Sequence, residues 1–277
     1  MKSLSCTLSA LLLFTLAFTP AEYNQHAEQL KKKLPPGFTV VIQPPFVVIG
    51  DEPPATVRTR ATSTVQWATD HLKKTYFAND PADILDIFLF KNNASYEKHT
   101  KALFNDRPTT PFGYYSQTHK ALVMNIETGG GTLVHEIVHP FIHANFPDCP
   151  AWFNEGLGSL YEQSAEKDGH IVGLTNWRLP ALQDAIKKNS LPSFQSLTST
   201  TPTEFYSKDR GSNYAHARYL CYYLQEKHLL TKFYKQFLEN QKDDPTGYQT
   251  LQAVLSNPDM NAFQKTWQSF ILTLTFP

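Results

Sequence analysis

The hydrophobic pattern divides the chain into a strand-bearing first half and a helical second half. Two short apolar, β-branched runs, 39–42 and 46–49, lie among the proline pairs 35–36, 44–45 and 53–54. They read as strands, and the prolines confine them to edges or ends. Residues 22–34 suit a short, charged, peripheral helix. Val65, Ala68, Leu72 and Tyr76 recur at helical spacing and predict an amphipathic helix over 62–77. The run from Ile84 to Phe90 reads as a largely buried strand. Gly113-Tyr114-Tyr115-Ser116 and Lys120-Ala121-Leu122-Val123-Met124-Asn125 predict a hairpin around Gln117-Thr118-His119. From Thr132 onward the period is helical: 132–145, 151–164, 176–188, 212–227, 229–240, 246–255 and 259–273. The Ser-, Thr- and Pro-rich stretch 189–212 reads as a joining loop. Phe233, Tyr234, Phe237, Trp267 and Phe270 read as core. The class is α+β, a small sheet followed by a mostly helical half.

Within the first of these late helices stands His135-Glu136-Ile137-Val138-His139. Residues four apart share a helix face, so both imidazoles can reach one metal ion. Glu136 is then placed to take a proton from a water on that ion. This is the HExxH signature of zinc metallopeptidases. Leu133, Val134, Ile137, Val138, Phe141 and Ile142 surround the pair at helical spacing, so the segment reads as mostly buried. Buried histidines and a glutamate need partners, because an unpaired buried polar group costs on the order of 2–7 kcal/mol. The glycine run 129–131 suits a turn into the helix, with Thr132 as its N-cap. Pro140 removes a backbone donor to the Glu136 carbonyl and predicts a kink after His139.

Zinc in a hydrolase takes three protein ligands and leaves one position for water. Pro147 and Pro150 break the first helix, and a second starts near Ala151. In an antiparallel pair, residues equidistant from the turn face each other. His139 and Glu155 each lie eight positions from Pro147, so Glu155 is the expected third ligand. His143, another turn along, is the competitor. A third histidine at HExxHxxGxxH spacing is excluded, because Asn145 occupies that place. The preceding sheet can hold an extended peptide along its edge by strand addition.

HEIVH followed by Ala151-Trp152-Phe153-Asn154-Glu155-Gly156-Leu157-Gly158-Ser159-Leu160-Tyr161-Glu162 resembles the glutamate-zincin (gluzincin) superfamily of thermolysin-like metallopeptidases. Within it, the chain is similar to small bacterial peptidase-MA-like domains, which share W-x-x-E-G shortly after HExxH. The resemblance is concentrated in 130–162. It extends more loosely to 46–51, Tyr76-Phe77, Asn213-Tyr214-Ala215 and Phe263-Gln264-Lys265-Thr266-Trp267, most of the chain after residue 45. It implies a zincin-like mixed sheet packed on helices, one Zn²⁺ per chain and peptide hydrolysis. Two features depart from it. The interval between His139 and Glu155 is shorter than in thermolysin. Ser159 stands where thermolysin-like enzymes place an aspartate behind a zinc-bound histidine, which leaves that role to Glu162 or another carboxylate.

The chemistry follows from the ligand set. Neutral His135, neutral His139 and Glu155 hold the metal, which lowers the pKa of its water toward ~7. Glu136 acts as general base and passes the proton to the leaving amine. A further donor stabilises the oxyanion. Tyr214, which matches the family position near a helix start, is the first candidate and His216 the second. A tyrosine-rich helix carrying Tyr219, Tyr222 and Tyr223 makes packing the competing explanation for both.

Composition sets the remaining bounds. The 277 residues are 41% hydrophobic and 18% charged with zero net charge, which gives an ample core and no nucleic-acid footprint. Lys2, the apolar run 8–18 and Thr19-Pro20-Ala21 form a leader-like segment, with cleavage expected near Ala21. That run is too short to span a bilayer, which takes ~20 residues. The expected organisation is a signal peptide over 1–21, an N-terminal α/β part over 22–128, and zinc-site helices with a helical C-terminal part over 129–277. The mature chain is expected outside the cytoplasm, periplasmic or secreted, acting on a peptide or protein substrate. Cys149 and Cys221 form either a disulfide tying the ligand hairpin to the Tyr214 helix or a pair of buried thiols. An anchor for a substrate amine, with Glu162 and Asp184 as the carboxylates to check, would separate exopeptidase from endopeptidase. The alternative to a peptidase is a zincin-fold chain that serves as a binding or assembly factor.

Overall fold

The computed structural model describes residues 18–207 and 212–276. Most of the expected leader, residues 1–17, therefore lies outside the described residues. Thr19 and Pro20, at the end of that segment, belong to the folded unit. Thr19 caps α1 (Pro20–Lys33) in a capping box with Glu22, whose carboxylate accepts from the Thr19 N–H at 2.7 Å. Tyr23 and Ala27 of α1 are buried, so the helix is seated rather than loosely peripheral.

Five strands form a mixed sheet in the order β1-β2-β3-β5-β4. β1 (Thr39–Gln43) and β2 (Phe46–Gly50) are antiparallel, β2 runs parallel to β3 (Leu85–Phe90), and β3 runs parallel to β5 (Ala121–Asn125). β4 (Gly113–Ser116) closes the far edge antiparallel to β5. β2 is an interior strand, against the expectation that its prolines hold it at an edge or end. The prolines sit outside it, a cis Pro44-Pro45 bond before and Pro53-Pro54 after, where no ladder hydrogen bond is needed.

The near-continuous apolar runs have a simple cause: both faces of the sheet are covered. Phe46, Val48, Leu85, Ile87, Leu89, Leu122 and Met124 face the main core. Val47, Ile49, Phe88, Phe90, Ala121 and Val123 alternate with them and face a second cluster that includes Tyr23 and Tyr96. Tyr96 lies on α4 (Asn93–Phe104), a helix with no sequence expectation. Its buried positions are Ser95, Tyr96 and Thr100, so it lacks an apolar stripe. On the main-core side a continuous helical segment runs through α2 (Pro54–Arg60), a π-helical stretch (Ala61–Gln66) and α3 (Trp67–Thr75). The expected 62–77 helix is its second half.

α5 (Gly130–Asn145) follows β5 through a short 3-10 turn and continues through Pro140. Its N-cap is Gly129 at φ 105°, not Thr132, which lies inside the first turn. A Cβ on Gly131 would stand 2.0 Å from the Glu162 carbonyl oxygen, so only glycine lets α5 start this close to the end of the next helix. That helix, α6 (Ala151–Leu160), stops four residues short of expectation. β6 (Ser164–Lys167) and β7 (His170–Gly173) then form a hairpin turned at Asp168-Gly169. The Gln225 side chain bonds both the N–H and the carbonyl of Gly173.

α7 (Leu179–Lys187) follows, and the expected loop 189–212 contains two short helices, α8 (Phe194–Thr198) and α9 (Pro202–Ser207). α10 (Ser212–Glu226), α11 (Leu230–Asn240), α12 (Tyr248–Leu255) and α13 (Met260–Thr273) match expectation within a few residues. Phe233, Tyr234, Phe237 and Trp267 are core, with Phe270 packed against it. Arg218 of α10 is fully buried and donates to the carbonyls of Ser159, Leu160 and Leu174. It thereby satisfies the last turn of α6 and fixes the exit that positions Glu162. No described helix is long and apolar enough to cross a membrane.

Candidate metal centre

α5 buries Leu133, Val134, Ile137, Val138, Phe141 and Ile142 in the main core, which locks its rotation. That rotation aims His135 and His139 at α6. Their rings meet edge to face with centroids 4.9 Å apart. Ligand atoms of His135, Glu136 and His139 all lie within 4.8 Å of one another. Glu155 enters from α6. Its Oε2 is 3.1 Å from His135 Nε2 and 3.9 Å from His139 Nε2.

Two carboxylates are thus available to the histidine pair, and their surroundings differ. Glu155 is buried, reaches both Nε2 atoms with one oxygen, and accepts a hydrogen bond on Oε1 from Tyr206 at 2.8 Å. Glu136 is half-buried and lines the open cleft. Glu155 is therefore the better placed of the two to complete a metal site with the histidines, and Glu136 is the one open to the cleft. Two ligands held ~2.1 Å from a tetrahedral ion stand ~3.4 Å apart, and the two Glu155 distances bracket that spacing.

The outer nitrogens support the same fit. His139 Nδ1 lies 2.9 Å from Asn154 Oδ1, an acceptor suited to a proton on Nδ1, and Nε2 is turned to the site. His135 Nδ1 lies 3.3 Å from Glu162 Oε1. That contact meets the distance of an ion pair without the alignment of a hydrogen bond. Glu162 is itself clamped by Arg178 through Nε at 2.9 Å and Nη2 at 2.6 Å, and by Asn176 Nδ2 at 3.0 Å. A carboxylate seven residues after Glu155 thus stands behind the first histidine. Ser159, at the aspartate position of the thermolysin-like pattern, leaves its buried hydroxyl without a hydrogen-bond partner.

The protonation pattern follows from these contacts. Burial opposes charge on His135, but its hydrogen bond with Glu155 and the nearby Glu155 and Glu162 carboxylates outweigh that and carry it up to about 10. Burial likewise works against ionised Glu155, yet the His139 and His135 charges bring it down to about 2. Glu162 also sits near 2: burial opposes its charge, and Arg178 and His135 prevail. On protein atoms alone, an imidazolium bridges two carboxylates. A divalent cation fits the same charge pattern and would displace the Nε2 proton.

The cleft over these groups has a volume of about 410 Å³. One wall is the edge strand β4, through Gly113, Tyr114 and Tyr115. Ile142, Phe146, Tyr206 and Tyr214 also line the cleft. Burial, then the Glu155 charge, pushes both tyrosines above their ordinary range, so each keeps its hydroxyl proton. His143 lines the cleft without joining the cluster of ligand atoms.

One sequence candidate stands apart from this site, and one open alternative is decided. His216 is fully buried, packed against Phe194 and Trp267 with neither ring nitrogen hydrogen-bonded, and it does not line the cleft. Two residues along a helix from Tyr214, it points to another face. Burial drives it down to about 3, so it stays neutral. Cys149 and Cys221 are free thiols, not a disulfide. Neither Glu162 nor Asp184 lines the cleft, so neither supplies an anchor there for a substrate amine.

Sequence reasoning missed Tyr206, Asn154 and Arg178. Asn154 directly precedes Glu155, and the helical phase of α6 would have placed it beside His139. Tyr206 lies in the stretch read as loop. The chain matches no protein-family model, and no curated protein is significantly similar to it.

Proposed function

We propose that the chain is a zinc-dependent metallopeptidase that works outside the cytoplasm. The observation that carries this reading is the convergence of Glu155 Oε2 on the Nε2 atoms of His135 and His139, with Glu136 beside them in an open cleft. The HExxH spacing and the leader-like N-terminus support it.

His135, His139 and Glu155 would hold the ion. Zinc bound there supplies a Lewis acid and brings a coordinated water toward a pKa of ~7. The protein groups do the rest. An extended peptide adds to the outer edge of β4, which brings a backbone carbonyl over the two histidines. Glu136 accepts the proton of the attacking water and delivers it to the departing amine nitrogen. Tyr214 keeps its proton and donates toward the oxygen that gains charge as the carbonyl becomes tetrahedral. Asn154 would hold the His139 imidazole in the tautomer this chemistry needs, and Glu162 stands behind His135 at 3.3 Å.

Zinc stoichiometry and cleavage of a random peptide library test the proposal together. The wild-type protein should bind one zinc, and Glu155→Gln should bind it more weakly. Glu136→Gln should keep its zinc and lose cleavage by ~10²–10⁴-fold. A protein that takes up no zinc would end the reading. Zinc binding with no peptide cleaved would turn it toward a binding or assembly factor.

A further inference from the structure

Tyr206 holds Glu155 by the oxygen that faces away from the histidines. Its hydroxyl donates to Oε1 at 2.8 Å, while Oε2 stands between the two Nε2 atoms. A metal-ligating carboxylate binds through one oxygen or chelates with both. Chelation raises the coordination number and takes up space near the position a water must occupy. A hydrogen bond donated to one oxygen occupies one of its lone pairs and holds that oxygen away from a second metal contact.

The placement of Tyr206 suits that role. It sits in the last turns of α9, with its ring edge-on to Phe205 at 5.5 Å and within 6.5 Å of the Tyr214 ring. Phe205 is fully buried and anchors the short helix, so the neighbouring tyrosine reaches the cleft from a fixed base. The Tyr206 ring itself is half exposed and fills no core space, so its phenol ring does little for packing. Its hydroxyl proton is committed to Glu155, which separates its task from that of Tyr214.

We infer that Tyr206 is a positioning residue that keeps Glu155 a one-oxygen metal ligand and so keeps the water position open. The inference rests on the metal-site reading above. Tyr206→Phe removes only the hydroxyl of a half-exposed side chain and should fold as the wild type does.

The test uses the full chain loaded with cobalt(II), whose visible absorption is strong in a four-coordinate site and weak at higher coordination. The wild type should give the strong band. Tyr206→Phe should bind one cobalt and lose on the order of half of that intensity, as a fourth-position site becomes five-coordinate. Chelator competition adds a second reading: the hydrogen-bond loss should change zinc affinity by on the order of 10-fold. An identical band and an identical affinity in the variant would overturn the role of Tyr206 and leave the metal site standing. A wild-type protein that binds neither cobalt nor zinc would instead bring down the metal-site reading itself.

Discussion

Glu162→Leu separates two jobs that one carboxylate performs. Glu162 pairs in two-toothed fashion with Arg178, accepts from Asn176, and backs His135 at 3.3 Å. Leucine has nearly the same volume, so the main loss is charge and hydrogen bonding. The side chain of Arg178 is only 22% exposed and would be left without its carboxylate. Breaking one side of such a buried pair costs on the order of 3 kcal/mol. For a chain of this size that lowers Tm by roughly 6–12 °C. His135 also loses the group that orients its ring, which should weaken metal binding ~10–100-fold, or about 1.4–2.7 kcal/mol. Adding Arg178→Met tests whether the two losses are independent. An apolar pair in place of a buried ion pair is near neutral, so Tm should return most of the way. Metal affinity should stay low, because Nδ1 of His135 then faces hydrocarbon. Calorimetry and chelator competition on the three proteins read the two quantities separately. A single variant that binds metal within about 2-fold of wild type would refute the orienting role. A double variant that recovers affinity along with Tm would show that the loss came from general destabilisation.

Three further outcomes are expected. A Cβ on Gly158 would sit 3.2 Å from His135 Nε2, so Gly158→Ala should displace the ring and weaken metal binding roughly 10-fold. Alanine is the better helix former by ~1 kcal/mol, so Tm should hold or rise, and a fall in both quantities would contradict this. His216→Leu relieves a buried imidazole with no hydrogen-bond partner and should raise stability by about 1 kcal/mol while leaving the proposed peptidase activity intact. Loss of turnover would return His216 to the candidate set. The metal-free protein should be most stable near pH 6.5, measured as a urea midpoint with chelator present. Above that, His135, raised from 6.5 to about 10, loses its stabilising proton as pH climbs through the folded value. Below it, His216, lowered from 6.5 to about 3, gains a proton more readily when unfolded; Glu155 and Glu162, lowered from 4.5 to about 2, add their loss as pH falls toward 2. An alkaline limb that is flat without metal would show that the His135 bridge does not stabilise the fold.

The strands and the helices α5 and α6 were legible because burial leaves long apolar runs along them. The approach of Glu155 to the two histidines was legible from hairpin symmetry. The hairpin β6–β7 was missed although Asp168-Gly169 marks its turn, because the helical period on either side dominated the reading. α4 was hidden by its inward face of Ser95, Tyr96 and Thr100, which gives no apolar stripe. Tyr206 was out of reach for a related reason. Serine, threonine and proline in 189–212 look like loop, yet they cap and start short helices: Ser193 accepts from the Ser196 N–H, and Thr201 from the Glu204 N–H. His216 was misplaced by adjacency: it lies two residues from Tyr214, and a helix sends such neighbours to different faces.

The spacing of the site along the chain has a consequence for synthesis. His135, His139 and Glu155 lie within one helical hairpin, whereas Arg178, Tyr206 and Tyr214 come later. At ~5–20 residues per second, the last of these follows Glu155 by several seconds. If the proposed metal site is right, the nascent chain for that interval carries a chelating hairpin without the groups that fix its geometry. Any soft or borderline cation can occupy so pliable a chelate. Choice among metals therefore belongs to the finished fold, and a chain that meets a cation early must be able to exchange it once α9 and α10 close over the hairpin.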